Sequence, residues 1–260
     1  MRSGSAGTPP GAVVDGRVQD STAVGLALKQ LLARNEILET RAFVAVSDAV
    51  AAFRVLKLPP AATKAEIDST VSRELNLDPT RMATRWVEVR RTPALCEVYA
   101  TTWDRALVKN AAEAARIAGL DPVVVELKSA CVARLVAEPT CVVLDTLSVP
   151  MEVFLIASGI PQVWHCFHAD ASLGNDLAPV LAGPLRSVMR FNRRRRDTEF
   201  GHQSPVFIVG EQMLPTQVVA NLAQMIDHPV LELPMPARIP PELRYATYIT
   251  CLGLMMRRSK

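Results

Sequence analysis

Two periodicities of apolar and polar residues run along the chain and predict a mixed α/β protein. Helical spacing follows Asp20, a candidate N-cap, and Thr63, which forms a capping box with Glu66. It recurs over Asp104–Ala118, where Gly119 marks the end of the helix. Strand-like segments lie around these helices: AVVDGRV, RAFVAVSD, AAFRVLKLP, TRWVEVRR and LCEVYATTW. The segment PVVVELKSACVARLV, a strand that runs into a helix, follows them.

The second half begins with a predicted β-hairpin and a third strand within Cys141–Val163, with a turn at Ser158-Gly159. A long helix is predicted over Leu173–Arg193, and Pro184 is expected to kink it or split it in two. The buried strand PVFIVG, a helix over Leu214–Ile226, the short strand PVLELP and a final apolar helix, TYITCLGLMM, complete the pattern.

The composition is typical of a globular protein with a hydrophobic core, since 49% of the 260 residues are hydrophobic and 21% are charged. The formal charge of +3 is too small to indicate a nucleic-acid partner. Five cysteines without CxxC spacing predict reduced thiols in a cytosolic protein. Residues 1–10 are interpreted as a flexible leader and not as a signal peptide, and no transmembrane helix is predicted.

Asp145 ends the first strand of the predicted hairpin, and two interpretations are open. A carboxylate at a strand end can hold Mg²⁺ through water or orient an attacking water. Alternatively, a turn aspartate accepts hydrogen bonds from the residues that follow it. The sequence after Asp145 is TLSVP, which has no glycine to bring backbone N–H groups close to a phosphate, and Pro150 has no N–H. Spacing alone favours the turn.

Three further segments contain residues suited to ligand binding, and a structural interpretation is favoured for each. Gly210 joins a strand to a helix start, a geometry common both at ligand sites and in plain turns. Arg193–Arg196 can contact phosphates or anionic lipid, or can be a solvated helix end. Trp164–His168 holds three possible zinc ligands, but a fourth at suitable spacing is missing. The sequence lacks GxSxG, Walker A, HExxH and GxGxxG motifs, so the residues favour a binding protein over a hydrolase.

In their order and spacing, several segments resemble the type IV pilus assembly protein PilM family, relatives of the actin-like division protein FtsA. The resemblance extends from about Pro10 to Arg258. The segments that carry it are PPGAVVDGRVQDSTAVGLALKQLLARN, RAFVAVSDAVAAFRVLKLP, NAAEAARIAGLDPVVVELKSACVARL, CVVLDTLSVPMEVFLIASGIPQV, LRSVMRF, FIVGEQMLP and YITCLGLMMR.

The resemblance implies an actin-like ATPase fold of ribonuclease-H-like subdomains with a small inserted α/β subdomain. The expected organisation is a leader over 1–10, the remainder of the first subdomain with the insert over 11–138, and the second subdomain over 139–260. The implied partner is the cytoplasmic N-terminal peptide of a PilN-like inner-membrane protein, together with other components of the pilus platform and motor. The expected location is cytoplasmic, peripheral to the inner membrane through these partners.

The resemblance also places residues in a nucleotide site for ATP and Mg²⁺. Asp145 and Thr146 fall on the second phosphate motif, and Gly210 and Glu211 fall on the adenosine motif. The segment with the family's first phosphate motif is missing, so the chain looks N-terminally truncated. Glu211 stands where a glycine is expected and brings negative charge towards a nucleotide. We therefore predict weak ATP binding at most, no hydrolysis and a scaffold function. The alternative is a nucleotide-dependent actin-like ATPase that regulates pilus assembly.

Overall fold

A computed structural model describes residues 3–75, 78–147, 149–169, 177–194, 201, 203–210, 214–234, 245 and 247–257. Internal contacts divide the chain into two compact units, Met1–Leu127 and Lys128–Lys260. Both units combine helices and strands, which confirms the predicted mixed α/β class. Within the described ranges, none of the helices has both the length and the apolar character needed to cross a bilayer.

The first unit alternates short strands with three α-helices and one turn of 3₁₀ helix at Asp48–Val50. Most of its predicted helix starts are confirmed, because Asp20 and Thr63 both cap helices and Asp104 caps a third. The elements are β1 (Val13–Val14), β2 (Arg17–Val18), α1 (Ser21–Arg34), β3 (Arg41–Val46), β4 (Ala51–Leu58), α2 (Lys64–Glu74), β5 (Met82–Arg91), β6 (Cys96–Asp104), α3 (Arg105–Ile117) and β7 (Asp121–Leu127).

Three antiparallel strands in the order β4-β6-β5 form a small sheet with a helix on one face. On that face the strands contribute Leu56, Val98 and other buried side chains, which pack against Ile67 and Val71 of α2. Side chains along each strand alternate between the two faces of the sheet. The face away from α2 is half-exposed, and β5 is exposed over most of its length. The sheet therefore has one buried face and one that solvent reaches.

A second pair of strands in this unit, β3 and β7, runs parallel. Helix α3 packs on this pair and on α1. The α1–α3 contact depends on Gly25, because a Cβ atom there would lie 2.7 Å from the Cβ of Ile117 and 2.8 Å from the carbonyl oxygen of Ala114. Glycine thus allows the two helices to approach more closely than any other residue would.

The second unit is built on a five-stranded sheet in the order β10-β9-β8-β11-β12. The predicted hairpin and third strand are confirmed, with Ser158 and Gly159 both at positive φ in the turn. The elements are α4 (Lys128–Leu135), β8 (Cys141–Asp145), β9 (Met151–Ala157), β10 (Ile160–Phe167), α5 (Leu177–Arg194), β11 (Val206–Val209), α6 (Thr216–Ile226), β12 (Val230–Glu232) and α7 (Ile249–Met255).

Both faces of the five-stranded sheet are buried. Val142, Leu144 and their neighbours pack towards α5 and α6, whereas Val143 and Phe154 pack towards α4 and α7. As a result, every residue of β8 and β9 is buried, including the two carboxylates that these strands carry. A sheet buried on both faces has near-continuous apolar strands, and CVVLD and MEVFLIA fit that pattern except for their acids.

Helix α4 packs on α7 at very short range and lies in the second compact unit, which begins at Lys128, whereas the sequence-based boundary between subdomains follows residue 138. A Cβ atom on Gly253 would lie 2.0 Å from the carbonyl oxygen of Cys131, so only glycine fits at this crossing. Pro184 does not split α5, which continues from Leu177 to Arg194. The first residues of the predicted long helix, 173–176, lie outside the described residues.

Candidate functional site

The carboxyl ends of β8 and β11 lie side by side at one edge of the five-stranded sheet. These two strands are parallel neighbours, and Asp145 at the end of β8 is paired with Val209 at the end of β11. In α/β sheets ligands bind at the carboxyl ends of the strands, so a nucleotide site is expected at this edge. It brings together Asp145, Thr146 and Gly210, three of the residues that the family resemblance assigns to a nucleotide site.

Asp145 is 1% exposed, and its carboxylate has two close donors. The backbone N–H of Leu147 donates to Oδ1 at 2.7 Å, which is the turn arrangement favoured by spacing alone. The ammonium group of Lys128, the first residue of α4, lies 2.5 Å from Oδ2. The carboxylate thus closes the turn on one side and forms a buried ion pair on the other.

A second carboxylate, Glu152, lies directly across the hairpin from Asp145. Its Oε2 also contacts the ammonium group of Lys128, and its Oε1 accepts a hydrogen bond from Nε1 of Trp164 at 3.0 Å. Two like charges at paired positions in a sheet repel each other, so the cation between them is what makes the pair tolerable in a buried strand. Lys128 therefore connects α4 to both strands of the hairpin.

Each of the four carboxylate oxygens in this network faces a donor: the Leu147 N–H, the Trp164 indole N–H, or the Lys128 ammonium, which faces one oxygen of each acid. Burial by itself would lower the pKa of Lys128, but Asp145 and Glu152 outweigh burial and hold that pKa above its ordinary value. The ammonium is also 5.7 Å from the centroid of the Phe154 ring. Lys128 is therefore protonated, and each carboxylate oxygen of the network has a donor.

Thr146 and Gly210 contact each other at the same edge. The hydroxyl of Thr146 donates to the carbonyl oxygen of Val209 at 3.1 Å, and its backbone N–H donates to the same oxygen at 2.9 Å. A Cβ atom on Gly210 would lie 2.1 Å from that hydroxyl oxygen. Glycine at position 210 therefore makes room for the Thr146 hydroxyl in this hydrogen bond, and a larger residue would displace it.

These contacts test whether a nucleotide and Mg²⁺ suit the edge. Mg²⁺ needs oxygen ligands, but the ammonium of Lys128 already lies against both carboxylates. A phosphate needs backbone donors, but the N–H groups of Thr146 and Leu147 are both engaged within the chain. The residues that are described here do not fit the metal, and they offer little to a phosphate. Glu211 lies outside the described residues.

The remaining candidates from the sequence do not form a site in the described part of the chain. His165 and Phe167 lie on one face of β10, as alternation predicted, with ring centroids 6.4 Å apart. The described residues contain no cluster of three or more His, Cys, Asp or Glu side chains arranged to hold a metal ion. The side chains of Arg193–Arg196 lie outside the described residues.

Sequence reasoning found Asp145 but missed its partners Lys128, Glu152 and Trp164. One signal was present, since Glu152 is the single charged residue in MEVFLIA, and a charge in a fully buried strand needs a partner. The hairpin register then places Glu152 opposite Asp145. Nothing in the sequence pointed to Lys128, because its contact depends on how α4 packs against the sheet.

Comparison with known proteins was made by sequence and by structure. No protein-family model matches the sequence, and no curated protein matches it either. The structure is similar to that of the "PilM-PilN type IV pilus biogenesis complex", with a TM-score of 0.69 and 18% identity over 95% of this chain and 88% of that chain. The chain has an actin-like ATPase fold.

Other structures are more distantly similar to this actin-like fold. The ethanolamine utilization protein EutJ from Carboxydothermus hydrogenoformans is 13% identical over 94% of this chain and 76% of that chain, with a TM-score of 0.46. A Bacteroides thetaiotaomicron protein with an actin-like ATPase fold and unknown function is 9% identical over 90% and 81%, with a TM-score of 0.45. At 18% identity the likeness to the PilM-PilN complex establishes the fold alone, and function has to be argued from the residues.

Proposed function

We propose that the protein is a PilM-like scaffold of the type IV pilus inner-membrane assembly platform. In this role it binds the cytoplasmic N-terminal peptide of a PilN-like membrane protein and contacts other platform and motor components. It resides in the cytoplasm and reaches the inner membrane through its partners. The likeness in fold to a PilM-PilN complex supports the assignment, since that complex is itself an assembly of the proposed kind.

The observation that carries the proposal is the network of Lys128, Asp145 and Glu152. An ATPase of this fold would need its strand-end carboxylate to face Mg²⁺ or water. Here the two carboxylates share a buried ammonium group, and the following backbone N–H groups are engaged. A protein with the fold but with this edge occupied by its own side chains is better suited to binding partners than to hydrolysis.

The surface that we assign to the partner peptide is the half-exposed face of the β4-β6-β5 sheet in the first unit. Paired positions across the three strands place Val55, Tyr99 and Val87 in one row, and Phe53 lies beside them with its ring centroid 6.0 Å from that of Tyr99. Val87 is 47% exposed and lies on an edge strand. An apolar row next to an exposed strand edge suits an extended peptide that adds as a further strand.

The test is a binding titration with a fluorescent peptide that covers the cytoplasmic N-terminus of the PilN-like protein from the same organism. Val87→Arg places a charge in the centre of the proposed surface, and we expect it to weaken binding at least about tenfold, or about 1.4 kcal/mol. Val149→Arg is the matched control, since Val149 is 88% exposed in the second unit and lies outside the proposed surface. That variant should bind like the wild type.

Two results would count against the proposal. If both valine variants bind the peptide as well as the wild type does, the surface is assigned wrongly. If Mg-ATP raises or lowers the peptide affinity by more than about tenfold, partner binding is coupled to a working nucleotide site, which is the behaviour of the ATPase alternative. Circular dichroism of each variant shows whether its fold is unchanged.

A further inference from the structure

Asp145 and Glu152 occupy paired positions on neighbouring strands and are 1% and 4% exposed. Carboxylate oxygens are common protein ligands of the divalent cations Ca²⁺ and Mg²⁺. The position between them holds an ammonium group instead, because Lys128 of α4 contacts one oxygen of each acid. All three residues belong to the second unit.

We propose that the Lys128 ammonium is a built-in substitute for a divalent cation, and that it decides whether this edge of the sheet binds metal. In the wild-type chain its positive charge repels Mg²⁺ or Ca²⁺ and its N–H groups engage the two oxygens that would ligate the ion. When position 128 loses its charge, the same two carboxylates become a cation site.

The distances within the network are compatible with a metal ion in place of the Lys128 ammonium. Lys128 Nζ lies 2.5 Å from Asp145 Oδ2, and Ca²⁺ lies about 2.3–2.6 Å from its oxygen ligands. An ion at the position of Nζ would therefore meet that oxygen at an ordinary ligand distance without any movement of the hairpin. A carboxylate oxygen of Glu152 faces the same point.

The two remaining carboxylate oxygens hold the site in shape when Lys128 is changed. Asp145 Oδ1 keeps its hydrogen bond from the Leu147 N–H, and Glu152 Oε1 keeps its bond from the Trp164 indole. Donors behind metal ligands orient those ligands and are common in metal sites. Removing the ammonium therefore leaves two oriented carboxylates that face the position it occupied.

Terbium luminescence provides a direct test, because Tb³⁺ prefers the oxygen ligands of Ca²⁺ and is excited by energy transfer from a nearby indole. Trp164 lies next to the proposed ion, whereas the other two tryptophans, Trp86 and Trp103, belong to the first unit. In Lys128→Met we expect saturable luminescence on excitation of tryptophan. In the wild type we expect none. Ca²⁺ and Mg²⁺ should compete with Tb³⁺, and Ca²⁺ should raise the Tm of Lys128→Met and leave that of the wild type unchanged.

Matched variants locate the signal. Lys128→Met/Asp145→Asn should lose both the luminescence and the rise in Tm, whereas Lys128→Met/Trp164→Phe should lose the luminescence and retain the rise. Lys128→Gln is a second variant that keeps an amide donor in case the methionine variant does not fold. The proposal is overturned if the wild type itself gives luminescence that Asp145→Asn removes, or if the folded Lys128 variants bind Tb³⁺ no better than the wild type.

Discussion

The five-stranded sheet of the second unit has helices on both faces, whereas the three-stranded sheet of the first unit has a helix on one face. In the second unit β9 is buried throughout, so its one acid, Glu152, has to be neutralised inside the protein. In the first unit β5 is exposed over most of its length, and its charged residues pair at the surface or face solvent.

This difference shows where each unit can interact with other molecules. A buried charge network has donors and acceptors that are already matched, and a ligand would have to break ion pairs to enter. A half-exposed sheet face has no such barrier, because an added strand or side chain displaces only water. This division is the reason why we propose partner binding by the first unit and structural support by the second.

The same substitution in the two sheets should have very different effects. Phe154 is fully buried in β9, so Phe154→Ala should lower the free energy of unfolding by about 3–5 kcal/mol. Phe53 is half-buried on the open face of the small sheet, so Phe53→Ala should cost only about 1 kcal/mol. Urea denaturation followed by circular dichroism measures both values. Equal losses would mean that the small sheet is covered to the same extent as the large one.

Alanine substitutions at the two close helix crossings, one in each unit, should change the free energy of unfolding by smaller amounts. Gly253→Ala should destabilise the protein by about 1–3 kcal/mol, because the new Cβ meets the backbone of Cys131, which cannot turn away. Gly25→Ala should cost less, since part of its contact is with the side chain of Ile117. Gly183→Ala is the comparison, because its Cβ would meet nothing within 4 Å beyond its chain neighbours and its own helix. Crowding by the ring of Pro184 offsets the preference of alanine for the helix, which is up to about 1 kcal/mol, so this variant should lose less stability than Gly253→Ala.

These values come from thermal unfolding of the three alanine variants beside the wild type. If Gly253→Ala is as stable as Gly183→Ala, then α4 and α7 do not cross as closely as their contact requires. The assignment of α4 to the second unit would then lose its support.

Local signals in the sequence predicted most elements correctly. The capping box of Thr63 and Glu66 and the turn at Ser158-Gly159 involve residues within a few positions of each other, so chemistry and spacing determine them. Of the two outcomes predicted for Pro184, the split is wrong, because α5 continues through this residue. Packing of α5 against the sheet offsets the hydrogen bond that proline removes. The kink stays a prediction.

The candidate site was predictable only in part, because its residues come from elements that are distant in the sequence. Asp145 lies at the tip of a hairpin that its own strand pattern reveals. Lys128 contacts Asp145 only because α4 packs on the face of the sheet that carries both acids, and no local pattern encodes that contact. Without Lys128, the sequence leaves two interpretations of Asp145 open, a turn residue and a carboxylate that holds Mg²⁺ through water. The buried cation changes the chemistry of the whole edge.

The central claim is that this edge is closed to nucleotide by the chain's own side chains, so that the protein acts by binding partners. Calorimetric titration with ATP and Mg²⁺ tests it most directly. The account predicts that binding, if measurable, is weaker than a Kd of about 100 μM and is unchanged in Asp145→Asn. A Kd tighter than about 100 μM that Asp145→Asn abolishes would contradict it.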